Sequence, residues 1–445
     1  MLGQAAVQDD VLSIKERLER LVVATTEART ARTESRQRLP GDDGRTNWPG
    51  RPGRRVSLDE VLEGRRVENE RGAFYQVEQR LPLDHWHGRM SLSRLKVVPP
   101  SAFSVLAQGA EGPDLDLSRA VFLDTETTGL SGGSGTAAFL IGLGYLEEDH
   151  FVVRQLFMRD YPEEEAMLHE LVRTLSGFDS LVTFNGKAFD VPLLESRLVL
   201  SRLRYPLAEL PHFDLLHPAR SLWKARLESC RLTELEYALL DLRRDEDVPS
   251  NLIPSLYFEY LRTRDASRVF RIFTHNRYDI VSLAALTVRA SEALEEEASP
   301  EHPIDDYSLG RLFERAALTE RSIRHYSRAV EGGLTGRARR QSLRQLAHQL
   351  KRRQAWEESN ALWKELAAEG GSEAIEALEE LAKYLEHRER DVGGALAYCE
   401  EAISRLEEDY RLALAFRERW RDSFRHRIKR LKRRESDEDQ REKDK

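Results

Sequence analysis

The chain has 445 residues, of which 40% are hydrophobic and 33% charged, and a formal net charge of −8. That length allows about two to four domains, and no apolar run approaches the roughly 20 residues that span a bilayer. Only Cys230 and Cys399 occur, which excludes a disulfide framework and a four-cysteine zinc site and fits a reducing, cytoplasmic setting. The N-terminus has no apolar signal-peptide core. Net acidity leaves nucleic-acid binding open, because one local basic face is enough for it.

Residues 1–55 carry one helical pattern (Val11, Leu12, Leu18, Leu21, Val22) and then a run of Arg, Gly, Pro, Asp and Thr that reads as a disordered linker. Residues 56–117 are expected to form a small β-containing region that packs on the next domain. Ser57 and Glu60 have capping-box spacing, and Gly72–Glu78 alternates like a strand. His85 and His87 lie in a polar turn, where a metal pair competes with a lid or docking segment.

Residues 118–296 are the most structured block. Strands are expected at Ala120–Leu123, Ala137–Leu146, Phe151–Phe157 and Ser180–Phe184. Pro162 followed by three glutamates opens one helix, and Val191–Leu200 forms another. This β-β-β-α-β-α order implies a mixed sheet flanked by helices.

Residues 303–410 repeat. Leu309-Gly310-x-x-Phe313 precedes Ser322-x-x-x-Tyr326-x-x-Ala329. Leu346-Ala347-x-x-Leu350 precedes Ser359-x-x-x-Trp363-x-x-Leu366 at the same spacing. In a third copy, Leu381 to Ala402, one extra residue stands between the helices. Helix pairs at a period of roughly 34–38 residues resemble tetratricopeptide repeats, which bind partners on a concave face. Residues 411–445 read as a basic helix with a charged tail, either solvated or touching nucleic acid.

The chemistry gathers around Ala120-Val-Phe-Leu-Asp124-Thr-Glu126. In an extended segment, residues i and i+2 share a face, so Asp124 and Glu126 point together past a buried strand. Such close like charges are costly unless neutralised, and a hard divalent cation suits them. Alone, the pair reads as a solvated acidic turn. Asn185-x-x-x-Phe189-Asp190 runs off a later strand through a glycine turn and puts Asp190 at a helix start. His275 and Asp279, four apart, share a face of a late helix.

These three motifs resemble those of the DEDD 3′–5′ exonucleases, a branch of the ribonuclease H-like fold. Phe139-Leu-Ile-Gly-Leu-Gly and Asn185-Gly-Lys-Ala-Phe-Asp-Val-Pro-Leu-Leu194 are similar to the YprB-type domain of that fold, which often precedes tetratricopeptide repeats. The resemblance implies an α/β ribonuclease H-like domain followed by all-α repeats. It implies two Mg²⁺ or Mn²⁺ ions held by Asp124, Glu126, Asp190 and Asp279, about 3.5–4 Å apart. Thr127, Thr128 and Leu130 would line the terminal nucleotide, with Asn185 and Lys187 also near the nucleic acid. His275 is the expected general base. It departs from the family, in which a tyrosine stands four residues before the last aspartate or a histidine five before it; one residue is about 100° of helix. Tyr278 is the competing base. Asp214 reads as a helix cap or a supporting acid, and Cys230 as packing. The expected activity is 3′–5′ cleavage of single-stranded RNA or DNA, with a protein partner on the repeats. A nucleic-acid-binding scaffold with weak or no catalysis is the alternative.

Overall fold

The computed structural model describes residues 55–107, 114–129, 135–245, 247–295, 300 and 302–443. The expected N-terminal helix, the expected linker before Arg55 and Leu130 lie outside these residues.

Nine strands are described: β1 (Gly64–Asn69), β2 (Gly72–Pro82), β3 (Trp86–His87), β4 (Met90–Ser91), β5 (Ala120–Thr127), β6 (Ala138–Glu147), β7 (His150–Phe157), β8 (Ser180–Thr183) and β9 (His212–Asp214). Seven of them make one mixed sheet in the order β1-β2-β7-β6-β5-β8-β9. The run from β1 to β5 pairs antiparallel, whereas β5–β8 and β8–β9 are parallel. The early hairpin thus extends the sheet through β2 on β7.

The central strand β5 is apolar from Ala120 to Leu123 because both of its faces are covered. Ala120 and Phe122 join one core cluster, and Val121 and Leu123 join the other. On the second face lie α2 (Glu164–Leu175), through Met167, Leu168 and Leu171, and α3 (Asp190–Leu200), through Val191 and Leu194. The first face carries α1 (Ser101–Leu106), α4 (Leu216–Trp223), a short α5 (Leu232–Leu235) and much of the long α7 (Val269–Glu292); α6 (Ile253–Thr263) belongs to the second cluster.

Two glycines let α7 settle on the sheet. A Cβ on Gly142 would lie 2.2 Å from Asn276 Oδ1, and one on Gly144 would lie 2.5 Å from Ile280 Cγ2. Strand neighbours two apart and helix neighbours four apart advance by similar distances. One register therefore seats both Asn276 and Ile280.

The repeat region pairs α8 (Pro303–Arg315) with α9 (Thr319–Glu331), α10 (Gly336–Arg352) with α11 (Trp356–Glu369), and α12 (Ser372–Tyr384) with α13 (Val392–Glu408). The repeated positions are core positions: Phe313, Tyr326, Ala329, Ala347, Trp363, Leu366, Ala395, Cys399 and Ala402 are buried. The pairing also repeats in its hydrogen bonds. Ser322 Oγ donates to Gly310 O at 2.9 Å, and Ser359 Oγ donates to Ala347 O at 2.9 Å.

In the third unit the extra residue is taken up by a π turn, Leu385–Glu389, directly after α12. That turn buries Glu386, which accepts from Arg427 at 2.7 Å and Arg430 at 2.6 Å on the last helix, α14 (Leu414–Lys443). Part of the basic helix is therefore paired within the fold, while Arg425, Lys429 and Arg433 are exposed. The first repeat helix also belongs to the sheet domain's core. Leu309, Leu312 and Phe313 share a cluster with Phe122 and Leu283, and Arg226 Nε donates to Asp305 Oδ1 at 3.1 Å.

Candidate metal centre

The first motif sits where β5 leaves the core. Burial gives way at Asp124, Thr125 and Glu126, so carboxylates replace apolar side chains at the strand's C-terminal end. Asp124 Oδ2 accepts from Asn276 Nδ2 at 2.8 Å. Thr125, between the two acids, donates its hydroxyl to Asp190 Oδ1. Thr127 Oγ1 donates to Gly129 O at 2.8 Å, and the Thr128 and Ala137 backbones are tied at 3.0 Å. These threonines shape the turn beside the acids.

The second motif is a turn held by Asp214. Asn185 takes φ +67°, and its N–H donates to Asp214 Oδ1 at 2.7 Å. The N–H groups of Lys187 and Leu216 donate to the same carboxylate at 3.1 Å. Asp214 thus caps α4 and also locks the turn that delivers Asp190 to the start of α3. Asn185 works here through its backbone. Lys187 and Phe189 are exposed beside the turn.

The third motif lies on α7, with His275 and Asp279 one turn apart as the spacing predicts. His275 Nε2 stands 3.4 Å from Asp279 Oδ2 and 3.8 Å from Glu126 Oε1. The ring's other nitrogen, Nδ1, is 2.7 Å from Asp247 Oδ1. Glu126, His275 and Asp279 each offer a ligand atom, and these atoms all lie within 4.8 Å of one another. Asp124 and Asp190 flank that trio and act on it electrostatically.

Sequence reasoning missed four participants: Arg244, Asp247, Asn276 and Ser250. The Arg244 side chain is buried, donating to Glu236 Oε1 at 2.5 Å, to Asp247 Oδ2 at 3.1 Å and to Asp279 Oδ1. The one available signal was the Arg243-Arg244-Asp-Glu-Asp247 run of charges. Asn276 stands directly after His275, but nothing in its spacing says that it reaches β5.

The electrostatics describe carboxylates in want of a cation. Burial, then the charges of Asp279 and Asp190, holds Asp124 well above the usual carboxylate range. Burial and then Asp124 and Asp279 do the same to Glu126. Burial lifts Asp190 to about 6. His275 is raised as well: burial pulls it down, but Asp247 and Asp279 outweigh that pull. Carboxylates that raise one another in this way are the donor set a hard divalent ion neutralises. Asn276 and Arg244 each engage one oxygen, of Asp124 and Asp279 respectively, which leaves the other oxygen of each for an ion.

Other expectations resolve structurally. His87 is buried, lies 2.7 Å from Ser282 Oγ and is pushed down to about 3 by burial first. It is a neutral, satisfied core histidine, and the trio does not include it. Tyr278 lies under the Arg244 guanidinium, 5.3 Å from ring centroid to Cζ. Cys230 is buried, with its thiol raised by burial.

Residues 121–291 match the RNase_H superfamily, and residues 309–411 match the tetratrico peptide repeat. The YprB protein of Bacillus subtilis (strain 168) is 34% identical over 342 residues, which cover 76% of this chain and 81% of YprB. The chain belongs to the YprB family. It joins a ribonuclease H-like domain, built on a mixed sheet, to a helical repeat domain, as the motifs imply. The matched span of the YprB-like chain carries all three acidic motifs, from Asp124 to Asp279. No described helix is long and apolar enough to cross a membrane.

Proposed function

We propose that this chain is a metal-dependent nuclease, a 3′–5′ exonuclease that hydrolyses phosphodiester bonds of single-stranded RNA or DNA. One observation carries the reading: Glu126, His275 and Asp279 converge at the end of the central strand, beside Asp124 and Asp190.

Asp124, Glu126, Asp190 and Asp279 would hold two Mg²⁺ or Mn²⁺ ions. Such ions supply Lewis-acid stabilisation of phosphate charge and lower the pKa of a bound water. The chain's own residues do the positioning. Asn276 fixes Asp124, Thr125 fixes Asp190, and Arg244 fixes Asp279. His275 completes the catalytic set. Thr127 and Thr128 border the acids, and the Asn185–Lys187 turn presents Lys187 to solvent, where it can meet a phosphate.

The repeats support a protein partner. Their groove, about 850 Å³, is lined by Tyr307, Arg311, Gln341, Glu376 and Trp420 among others. A binding scaffold with little turnover is favoured by one observation: Arg244 already neutralises Asp279. Oligonucleotides labelled at the 5′ end separate the readings. Stepwise shortening with Mn²⁺ supports the exonuclease, internal cuts would reassign the polarity, and binding without shortening would support the scaffold.

A further inference from the structure

His275 departs from the register of the DEDD exonucleases that its motif resembles, and its surroundings explain what the departure accomplishes. The ring is buried, 4% exposed. Nδ1 lies 2.7 Å from Asp247 Oδ1, whereas the Arg244 guanidinium is 3.4 Å away. The shorter contact, to a carboxylate, takes the Nδ1 proton. In the neutral ring, the form that binds a metal, that leaves the lone pair on Nε2. Ser250 Oγ is 3.3 Å from Nε2, and its hydroxyl can rotate away.

The Nε2 lone pair meets two carboxylate oxygens, at 3.4 and 3.8 Å. Ligands bound about 2.1 Å from one ion stand roughly 3–3.5 Å from each other. The 3.4 Å separation falls within this range, and the 3.8 Å separation lies just outside it, within reach of a small side-chain shift. A carboxylate on the far nitrogen is also the usual support of a metal-bound histidine, since it fixes the tautomer and the ring plane. Arg244 completes the support, because it binds both Asp247 and Asp279.

We infer that His275 is a metal ligand through Nε2, so that Glu126, His275 and Asp279 form a mixed nitrogen–oxygen site for a first-row transition ion. This inference deepens the nuclease reading and rests on it only in placing a divalent ion here. Mg²⁺ prefers oxygen donors alone, whereas first-row transition ions accept an imidazole nitrogen, Mn²⁺ least and the later ions more strongly. The site is accordingly selective for Mn²⁺ over Mg²⁺, and His275 acts through the ion. Asp247 is a positioning residue.

The test is pulsed electron paramagnetic resonance of Mn²⁺ added to the full chain. ¹⁴N modulation from a bound imidazole is expected. It should change to the ¹⁵N pattern when histidine alone is ¹⁵N-labelled, and it should vanish in His275→Gln while Mn²⁺ still binds. Asp247→Asn should keep the modulation but weaken Mn²⁺ binding about 10–100-fold. If neither variant folds, the labelled wild-type chain still shows whether a histidine binds the ion, and His275 is the histidine of the acidic trio. Mn²⁺ bound without nitrogen modulation, or no Mn²⁺ bound, overturns the assignment. A nitrogen-coupled ion in a chain that cuts neither RNA nor DNA upholds the ligand and retires the nuclease.

Discussion

Asn276 Nδ2 donates to Asp124 Oδ2 at 2.8 Å, and this contact depends on the absence of a side chain at residue 142. Asp124 pairs with Gly142 across β5 and β6, so the helix above can drop an amide onto the strand. In Gly142→Ala the new Cβ would lie 2.2 Å from Asn276 Oδ1. That change should destabilise the fold by about 1–3 kcal/mol, as overpacking does. Denaturant unfolding measures it; an unchanged midpoint would show that α7 can move aside. Asn276→Ala relieves no clash and should lower Mn²⁺ affinity by loosening Asp124, which titration calorimetry would read.

The legible parts of the site were those with a local signature. Asp124 and Glu126 follow a strand that is apolar on both faces, and the Asp190 turn and the His275–Asp279 helix follow local spacing rules. The repeats were legible because one small or large apolar pattern recurs, and the π turn at Leu385 marks where the pattern gains a residue. Arg244 and Asp247 were not legible. They lie in an irregular segment, and their meaning comes from contacts 28 to 35 residues away, to His275 and Asp279. The early hairpin had a readable strand, but its place beside β7 is a long-range pairing that alternation cannot specify.

Proton and metal should compete in this site. Asp190 titrates at about 6 in the fold against an ordinary value of 3.8. The folded state therefore holds the extra proton between those values, and its contribution to stability is present at low pH and falls as pH rises through about 6. Asp124 and Glu126 act in the same direction. In chelator, thermal stability should decline across this window, and Asp190→Asn should remove part of the decline, on the order of 1–3 kcal/mol. Added Mn²⁺ should stabilise more at pH 8 than at pH 5. Equal metal-induced shifts at both values would contradict the coupling.

Arg244 is the counter-charge of the metal-free site. Its removal leaves Glu236, 1% exposed, without that partner. Arg244→Met should cost about 3–5 kcal/mol, as breaking a buried ion pair does. Adding Glu236→Gln should recover part of the loss, because the orphaned charge is then gone. Thermal melts of the two variants check this; no recovery in the double variant would mean that the guanidinium contributes mainly by packing.

The repeat domain is not a detachable tail. Leu309, Leu312 and Phe313 fill the sheet domain's core. Truncation before Asp305 should therefore expose apolar surface and yield an unstable or aggregating chain. Ending the chain after α8 and α9 should be tolerated better. Solubility and melting of the two truncations distinguish them, and a well-folded chain ending before Asp305 would contradict the shared core.

The acids around Asp124 are proposed to cut nucleic acid with a bound metal. Labelled single-stranded RNA and DNA should be incubated with the purified chain, Mn²⁺ or Mg²⁺, and parallel samples of Asp124→Asn and Asp190→Asn. Metal-dependent shortening of at least one polymer is expected, with a loss of about 10²-fold or more in both variants. No shortening with either metal, or shortening that both variants retain, would contradict it.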